Sequence, residues 1–196
     1  DRIVEALQKR GQTYYSFYTE DSGLLSRYPI SDSSTVYPLN DDRGSIYRLV
    51  TKKGDQEFAV YTAHLDYRNC AYYDARGYDG NNWNKIEPVT NLDSILVLNR
   101  ASVRDDAIAR FIKEAEKDKA AGRIVILGGD FNEPSHLDWT EATKDMRDHY
   151  GLVVPWDVSV MLEKAGYKDS YREKYPDPVT HPGFTCPADC PDIALK

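Results

Sequence analysis

The stretch Arg123-Ile124-Val125-Ile126-Leu127-Gly128-Gly129-Asp130-Phe131-Asn132 carries the fold class. Four β-prone apolar residues in a row, too short for a helix, make Arg123 to Gly128 read as a strand buried on both faces. Upstream, Ser102 stands three residues before Asp105 in a capping-box arrangement, and Ile108, Phe111, Ile112 and Ala115 recur at helical spacing until Gly122. A helix running into a short apolar strand predicts a layered α/β sheet with both faces covered. The two glycines then allow a sharp turn at the strand's carboxyl end, and Asp130 and Asn132, two apart, project to one side.

The other strong strand is Gln56 to Leu65, which carries His64 at its carboxyl end. Weaker β-rich stretches cover Thr13 to Tyr18, Gly23 to Ser26 and Ser45 to Val50, separated by turn-forming clusters. Residues 1–10 read as a surface helix stopped by Gly11, and Val158 to Ala165 as a short helix stopped by Gly166. From Asp66 to Arg100 the pattern is aperiodic and rich in Tyr, Asn, Asp and Gly, which predicts a long functional loop. A helix at the first residue is an unusual opening for this mixed pattern and suggests a chain that starts in mid-fold.

The 196 residues contain 32 acidic and 25 basic side chains, a net charge of -7. That balance suits one globular domain and opposes a general phosphate-backbone binder, while leaving room for chemistry at a local metal. No apolar run is long enough to cross a bilayer. The 15 tyrosines fit either a cleft for polar ligands or ordinary half-buried strand positions. Of the three cysteines, Cys186 and Cys190 lie four apart; a local disulfide, two thiols, or a zinc site with His181 are all open. The pair raises an extracytoplasmic or secreted location as an expectation. Cys70 reads as structural or free.

At the strand ends, a carboxylate beside a carboxamide can hold a water, a divalent metal or an oxyanion. Asp130 as a turn cap and Asn132 as a turn residue is the plainer alternative. His64 reads alone as a satisfied core or loop histidine, but neighbouring strand ends are where open sheets place ligands, and there it would meet Asp130 and Asn132. In the loop, Arg68, Arg76, Tyr72, Tyr73, Tyr78 and Trp83 are candidates to grip a phosphorylated ring, or else pack on themselves. His136, Asp138 and Trp139 follow closely enough to line the same cleft. His149 and His181 read as surface residues, and Arg27 as packing beneath the site or contacting phosphate.

Five segments occur in an order that resembles the endonuclease/exonuclease/phosphatase superfamily. They are Ser22 to Ile30, Thr62 to Asp66, the Asn99/Ser102/Arg104 helix start, Gly128 to Asn132, and Ala165 to Ser170. The resemblance implies an α/β fold, a four-layered sandwich of two mixed β-sheets flanked by helices, over residues 1–196 as a single domain. It implies metal-dependent phosphoester hydrolysis with Mg²⁺, or Mn²⁺ or Ca²⁺. By position, His64 resembles the histidine that contacts the scissile phosphate, Asp130 the carboxylate that orients or deprotonates water, and Asn132 the group that steadies phosphate. Asp130 and Asn132 are the metal candidates, and Arg68, Arg76, Tyr78 and His136 the substrate-binding ones.

The family's Gln-Glu metal ligand, its first strand and helix start, and its last strands with the Ser-Asp-His motif are absent from the 196 residues, so the expected domain is incomplete at both ends. The expected substrate is a small phosphorylated sugar, inositol or lipid headgroup. A nucleic-acid endonuclease or exonuclease, or a ligand-binding module with relic catalytic residues, stand as alternatives.

Overall fold

The computed structural model describes residues 1–19, 21–37 and 43–185; Cys186 and Cys190 lie outside them. In chain order the elements are α1 (Arg2–Gln8), β1 (Tyr15–Tyr18), β2 (Gly23–Ser26), β3 (Ile30–Tyr37), β4 (Gly44–Lys53) and β5 (Gln56–Leu65). They continue with α2 (Ala71–Ala75), α3 (Leu92–Asn99), α4 (Arg104–Ala120), β6 (Ile124–Asp130), α5 (Asp157–Lys164) and α6 (Ser170–Lys174). The contacts group into two compact units, residues 1–66 with 106–131, and residues 67–105 with 132–196.

The first unit is an α/β sandwich. Its main sheet is mixed, in the order β3-β4-β5-β6, antiparallel except for the parallel β5/β6 pair. Strands β1 and β2 form a second, antiparallel sheet. The period of two along a strand decides what each face meets. Tyr47, Thr51 and Thr62 face the β1/β2 side: Phe17 meets Tyr47 edge-on at 6.2 Å, and Ser26 and Ser22 hydroxyls bond Thr51 and Thr62. Arg48 and Tyr61, cross-strand partners, face α4, where Phe111 lies edge-on to Tyr61 at 4.9 Å.

Between those layers the fully buried Asp118 of α4 collects Arg48, Arg123 and the Tyr61 hydroxyl. Burial alone would push its carboxyl up; the hydrogen bonds from Arg48, Tyr61 and Arg123 outweigh that and hold it at about 2.

Two sequence expectations fail here for physical reasons. Strand β3 is Ile-Ser-Asp-Ser-Ser-Thr-Val-Tyr, read as turn because it is polar; among the described residues it is an edge strand, tolerated because its exposed residues face water. Strand β6 is covered less than its apolar run predicts: Ile124 and Ile126 are each 47% exposed, since β6 ends the sheet among the described residues.

The second unit packs Ala71, Ala75, Ile95, Trp139, Val154 and Trp156 into its core. The expected long loop contains α2 and α3, whose short lengths and polar surroundings hide their period in the sequence. Asn91 caps α3, accepting from Ser94 N at 2.9 Å. His149, read as a surface residue, is 8% exposed and stacks on Trp139 at 3.9 Å; burial first, then Arg147, pushes its pKa down to about 4. Trp139 is likewise buried in the core of this unit. No helix among the described residues is long and apolar enough to cross a membrane.

Candidate active site

The parallel pairing of β5 with β6 sets His64 directly beside Asp130. Partners in register share a face of the sheet, so both side chains leave the carboxyl ends of adjacent strands on the β1/β2 side. Two glycines make that end possible. Gly129, at φ +141°, approaches β5 so closely that a β-carbon would stand 1.9 Å from the Ala63 carbonyl oxygen. On the other flank Gly44, at φ +108°, would place one 2.9 Å from the His64 carbonyl oxygen.

The His64 ring is oriented by Asp21, two residues ahead of β2. Its Nδ1 lies 2.8 Å from Asp21 Oδ1, and the Ser45 hydroxyl, cross-strand partner of His64, donates to the other oxygen of the same carboxylate. A carboxylate only accepts, so Nδ1 carries the hydrogen and Nε2 is the ring nitrogen turned to a ligand. The His64 side chain is 40% exposed and Asp21 16%, an accessible imidazole on a more sheltered anchor. Sequence reasoning missed Asp21 and Ser45. The signal for Asp21 was its place in the polar stretch Thr-Glu-Asp-Ser-Gly just ahead of the Leu-Leu-Ser-Arg segment.

Asn132 lies two residues beyond Asp130 and belongs to the second unit, with its backbone in the left-handed region at φ +47°. Asn tolerates that conformation better than most residues, so a turn role and a ligand role are both satisfied by its identity. Its carbonyl accepts from the Cys70 thiol at 3.7 Å. The next residue, Glu133, is almost wholly buried. Its carboxylate takes Arg104 Nε at 3.4 Å, Asn99 Nδ2 at 2.8 Å and Val158 N at 2.7 Å. Burial holds the Glu133 carboxyl above its ordinary range, against the pull of Arg104. Arg104 completes the clasp by donating to the carbonyls of Arg68 and Asn69 and to Asn99 Oδ1.

The remaining candidates are dispersed within the second unit. Arg68 sets its guanidinium 5.5 Å from the Tyr67 ring. Arg76 donates through Nε and Nη2 to Asp148, both side chains nearly buried, so its fork is occupied. Tyr78 forms an isolated β-bridge with Lys85. His136 is bonded at both ring nitrogens, to Ser159 and to Glu163 of α5. In the first unit Arg27 is exposed rather than packed under a site, its Nε donating to the Tyr14 hydroxyl at 2.8 Å.

Among the described residues no three His, Cys, Asp or Glu side chains gather into a set that could hold a metal ion. Asp130 offers an oxygen donor, but a hard cation needs several, so the described residues do not make a complete shell.

An Endonuclease/Exonuclease/phosphatase family model matches residues 2–190. Uncharacterized protein F14F9.5 of Caenorhabditis elegans is 33% identical over 168 residues, covering 84% of this chain and 49% of that protein. The chain thus spans about half the length of this curated relative. No solved structure matches it significantly. The family generally comprises hydrolases of phosphoester bonds, whose members commonly use divalent metals and bind phosphorylated substrates or nucleic acid. With a match that runs over almost every residue and an α/β sandwich beneath it, the chain belongs to the endonuclease/exonuclease/phosphatase family.

Proposed function

We propose that the protein hydrolyses the phosphate ester of a small phosphorylated sugar, inositol or lipid headgroup, with His64 and Asp130 as catalytic residues. The observation that carries this reading is their placement side by side at the carboxyl ends of β5 and β6, with His64 anchored by Asp21. Asp130 orients the attacking water and draws its proton as the oxygen approaches phosphorus in line; the P–O bond to the alcohol breaks opposite it, and the leaving oxygen takes a proton from solvent. With Nδ1–H committed to Asp21, His64 meets a phosphoryl oxygen through Nε2, donating from the imidazolium form as charge builds there. A divalent ion such as Mg²⁺ is the proposed cofactor; Asp130 would give it an oxygen donor, and it would neutralise charge on the phosphate.

The net charge of -7 supports a small substrate over a nucleic acid. An extracytoplasmic location is also proposed, on the Cys186/Cys190 spacing, and thiol counting with and without reductant tests it.

The test is a hydrolysis screen of the full-length protein over sugar phosphates, inositol phosphates, phospholipids, mononucleotides and DNA, with and without a chelator. Asp130→Ala should lower turnover about a hundredfold, the effect of losing on the order of 3 kcal/mol of transition-state stabilisation, at unchanged thermal stability. Near-normal turnover in that variant would make Asp130 a turn residue. Activity on DNA alone would favour the nuclease reading, and no activity on any ester would favour a binding module.

A further inference from the structure

At the end of the β1/β2 ladder away from His64, Tyr14 and Arg27 stand one step beyond the last pair, Tyr15 with Ser26. Ser26 turns toward the main sheet to meet Thr51, so the alternation along the strand turns Arg27 the other way, where it is exposed. Tyr14 holds the guanidinium in place: Nε donates to its hydroxyl at 2.8 Å, and the group lies 5.6 Å from the centre of its ring. That contact orients the fork and leaves both terminal nitrogens of Arg27 without a partner among the described residues.

Arg27, Tyr14, Thr13 and Gln12 line one open cleft of about 280 Å³. The Thr13 hydroxyl and the Gln12 carboxamide make no hydrogen bond among the described residues, and the Tyr14 hydroxyl, having accepted from Arg27, keeps its own hydrogen to give. Every lining side chain can therefore donate to an oxyanion, and none is a carboxylate. Residues 9–17 and 22–31, which carry the cleft, contain Lys9, Arg10 and Arg27 and no Asp or Glu. Beyond them the β4/β5 hairpin end adds Lys52, Lys53, Asp55 and Glu57, two of each sign. The open fork matches two oxygens of a phosphate, and the hydroxyls and carboxamide serve a third, which a carboxylate lacks. The volume falls just under the roughly 300–1,000 Å³ of sites for larger small molecules, which fits a phosphate with the first atoms of its ester.

We propose that Arg27, Tyr14, Thr13 and Gln12 form a phosphomonoester-binding site separate from the strand ends that carry His64 and Asp130. Ser22, ahead of β2, bonds Thr62 two residues before His64, so Arg27 lies five residues further along an extended chain, roughly 16 Å. The cleft has no carboxylate or imidazole to activate water, so it binds the ester without hydrolysing it. The ligand is a phosphate monoester, either free in solution or as the headgroup of phosphatidic acid.

The test uses the 196-residue chain carrying Asp130→Asn to prevent turnover. Glycerol phosphate should shift the NMR signals of the Arg27 Nε–H, identified by its absence in Arg27→Lys, and of the Thr13 and Tyr14 amides. Arg27→Ala should weaken the binding read at Thr13 and Tyr14 about tenfold, and Arg27→Lys severalfold, because lysine keeps the charge and loses the fork. Since Arg27 is exposed, neither variant should change the unfolding temperature. Cosedimentation with vesicles of phosphatidylcholine and phosphatidic acid forms the second arm. Cosedimentation that depends on Arg27, with no response to free glycerol phosphate, assigns the lipid headgroup; a response to glycerol phosphate in solution assigns the free ester. Unchanged affinity in Arg27→Ala, a response to neither source, or acetate binding as tightly as glycerol phosphate overturns the proposal, as does duplex DNA binding through Arg27 when neither monoester binds.

Discussion

Gly129 and Ala63 are in such close backbone contact that any side chain at 129 would have to displace strand β5 one residue before His64. The adjacent Gly128 meets nothing within 4 Å of where its β-carbon would stand.

The two neighbours should therefore behave oppositely. Gly129→Ala combines a left-handed-region strain with a 1.9 Å overlap onto backbone, and should destabilise by several kcal/mol, on the scale of the largest single-residue effects. Gly128→Ala should change stability by under about 1 kcal/mol. Urea unfolding of both variants measures the contrast; equal losses would mean the β5/β6 approach is looser than described.

Asp21 and His64 should act as a unit. Asp21→Ala frees the imidazole to rotate and to change tautomer, and should lower kcat on the order of tenfold to a hundredfold at unchanged KM. His64→Gln should cost at least as much, and the double variant no more than His64→Gln alone. Additive losses in kcat would separate the two residues.

Acid should unfold the first unit through Asp118. Its carboxyl titrates at about 2 in the folded chain, below the ordinary 3.8, so the unfolded chain takes up the proton first as pH falls. The stabilisation, about 2 kcal/mol by that difference, is complete above about pH 4 and lost as pH drops to about 2. Urea midpoints across this range should fall for the natural chain and stay flatter for Asp118→Asn.

Removing Arg104 should be costly in the second unit. Arg104→Ala leaves the buried Glu133 carboxylate without its cation, an effect on the order of 3–5 kcal/mol. Adding Glu133→Gln should recover part of it, because a neutral amide needs no counter-charge. Thermal unfolding of the single and double variants gives the comparison.

Much of this architecture was legible in the sequence because hydrophobic period and glycine placement act locally. β2 and β5 match their predicted bounds, β6 and α4 fall within two residues of theirs, and the Asp130 end of β6 follows from its glycines. Strand β3 was not legible, since an edge strand can be polar on its exposed residues and take its order from β4 alone. The Asp21 anchor was not legible either: it lies 43 residues from His64 and meets it only through tertiary packing. Arg76 looked like a free phosphate fork, and nothing near it in sequence announces Asp148, 72 residues away.

Strand β6 also bears on how the chain behaves at high concentration. Its outer edge has no partner strand among the described residues, and its apolar run, with Ile124 and Ile126 half-exposed, contains no lysine or proline to discourage pairing. Such an edge is a template on which another extended segment can add. Unless something else covers it, the strand that delivers Asp130 is also the place where association between copies would begin, and a lysine at Ile126 is the substitution that would blunt it without touching the carboxyl end.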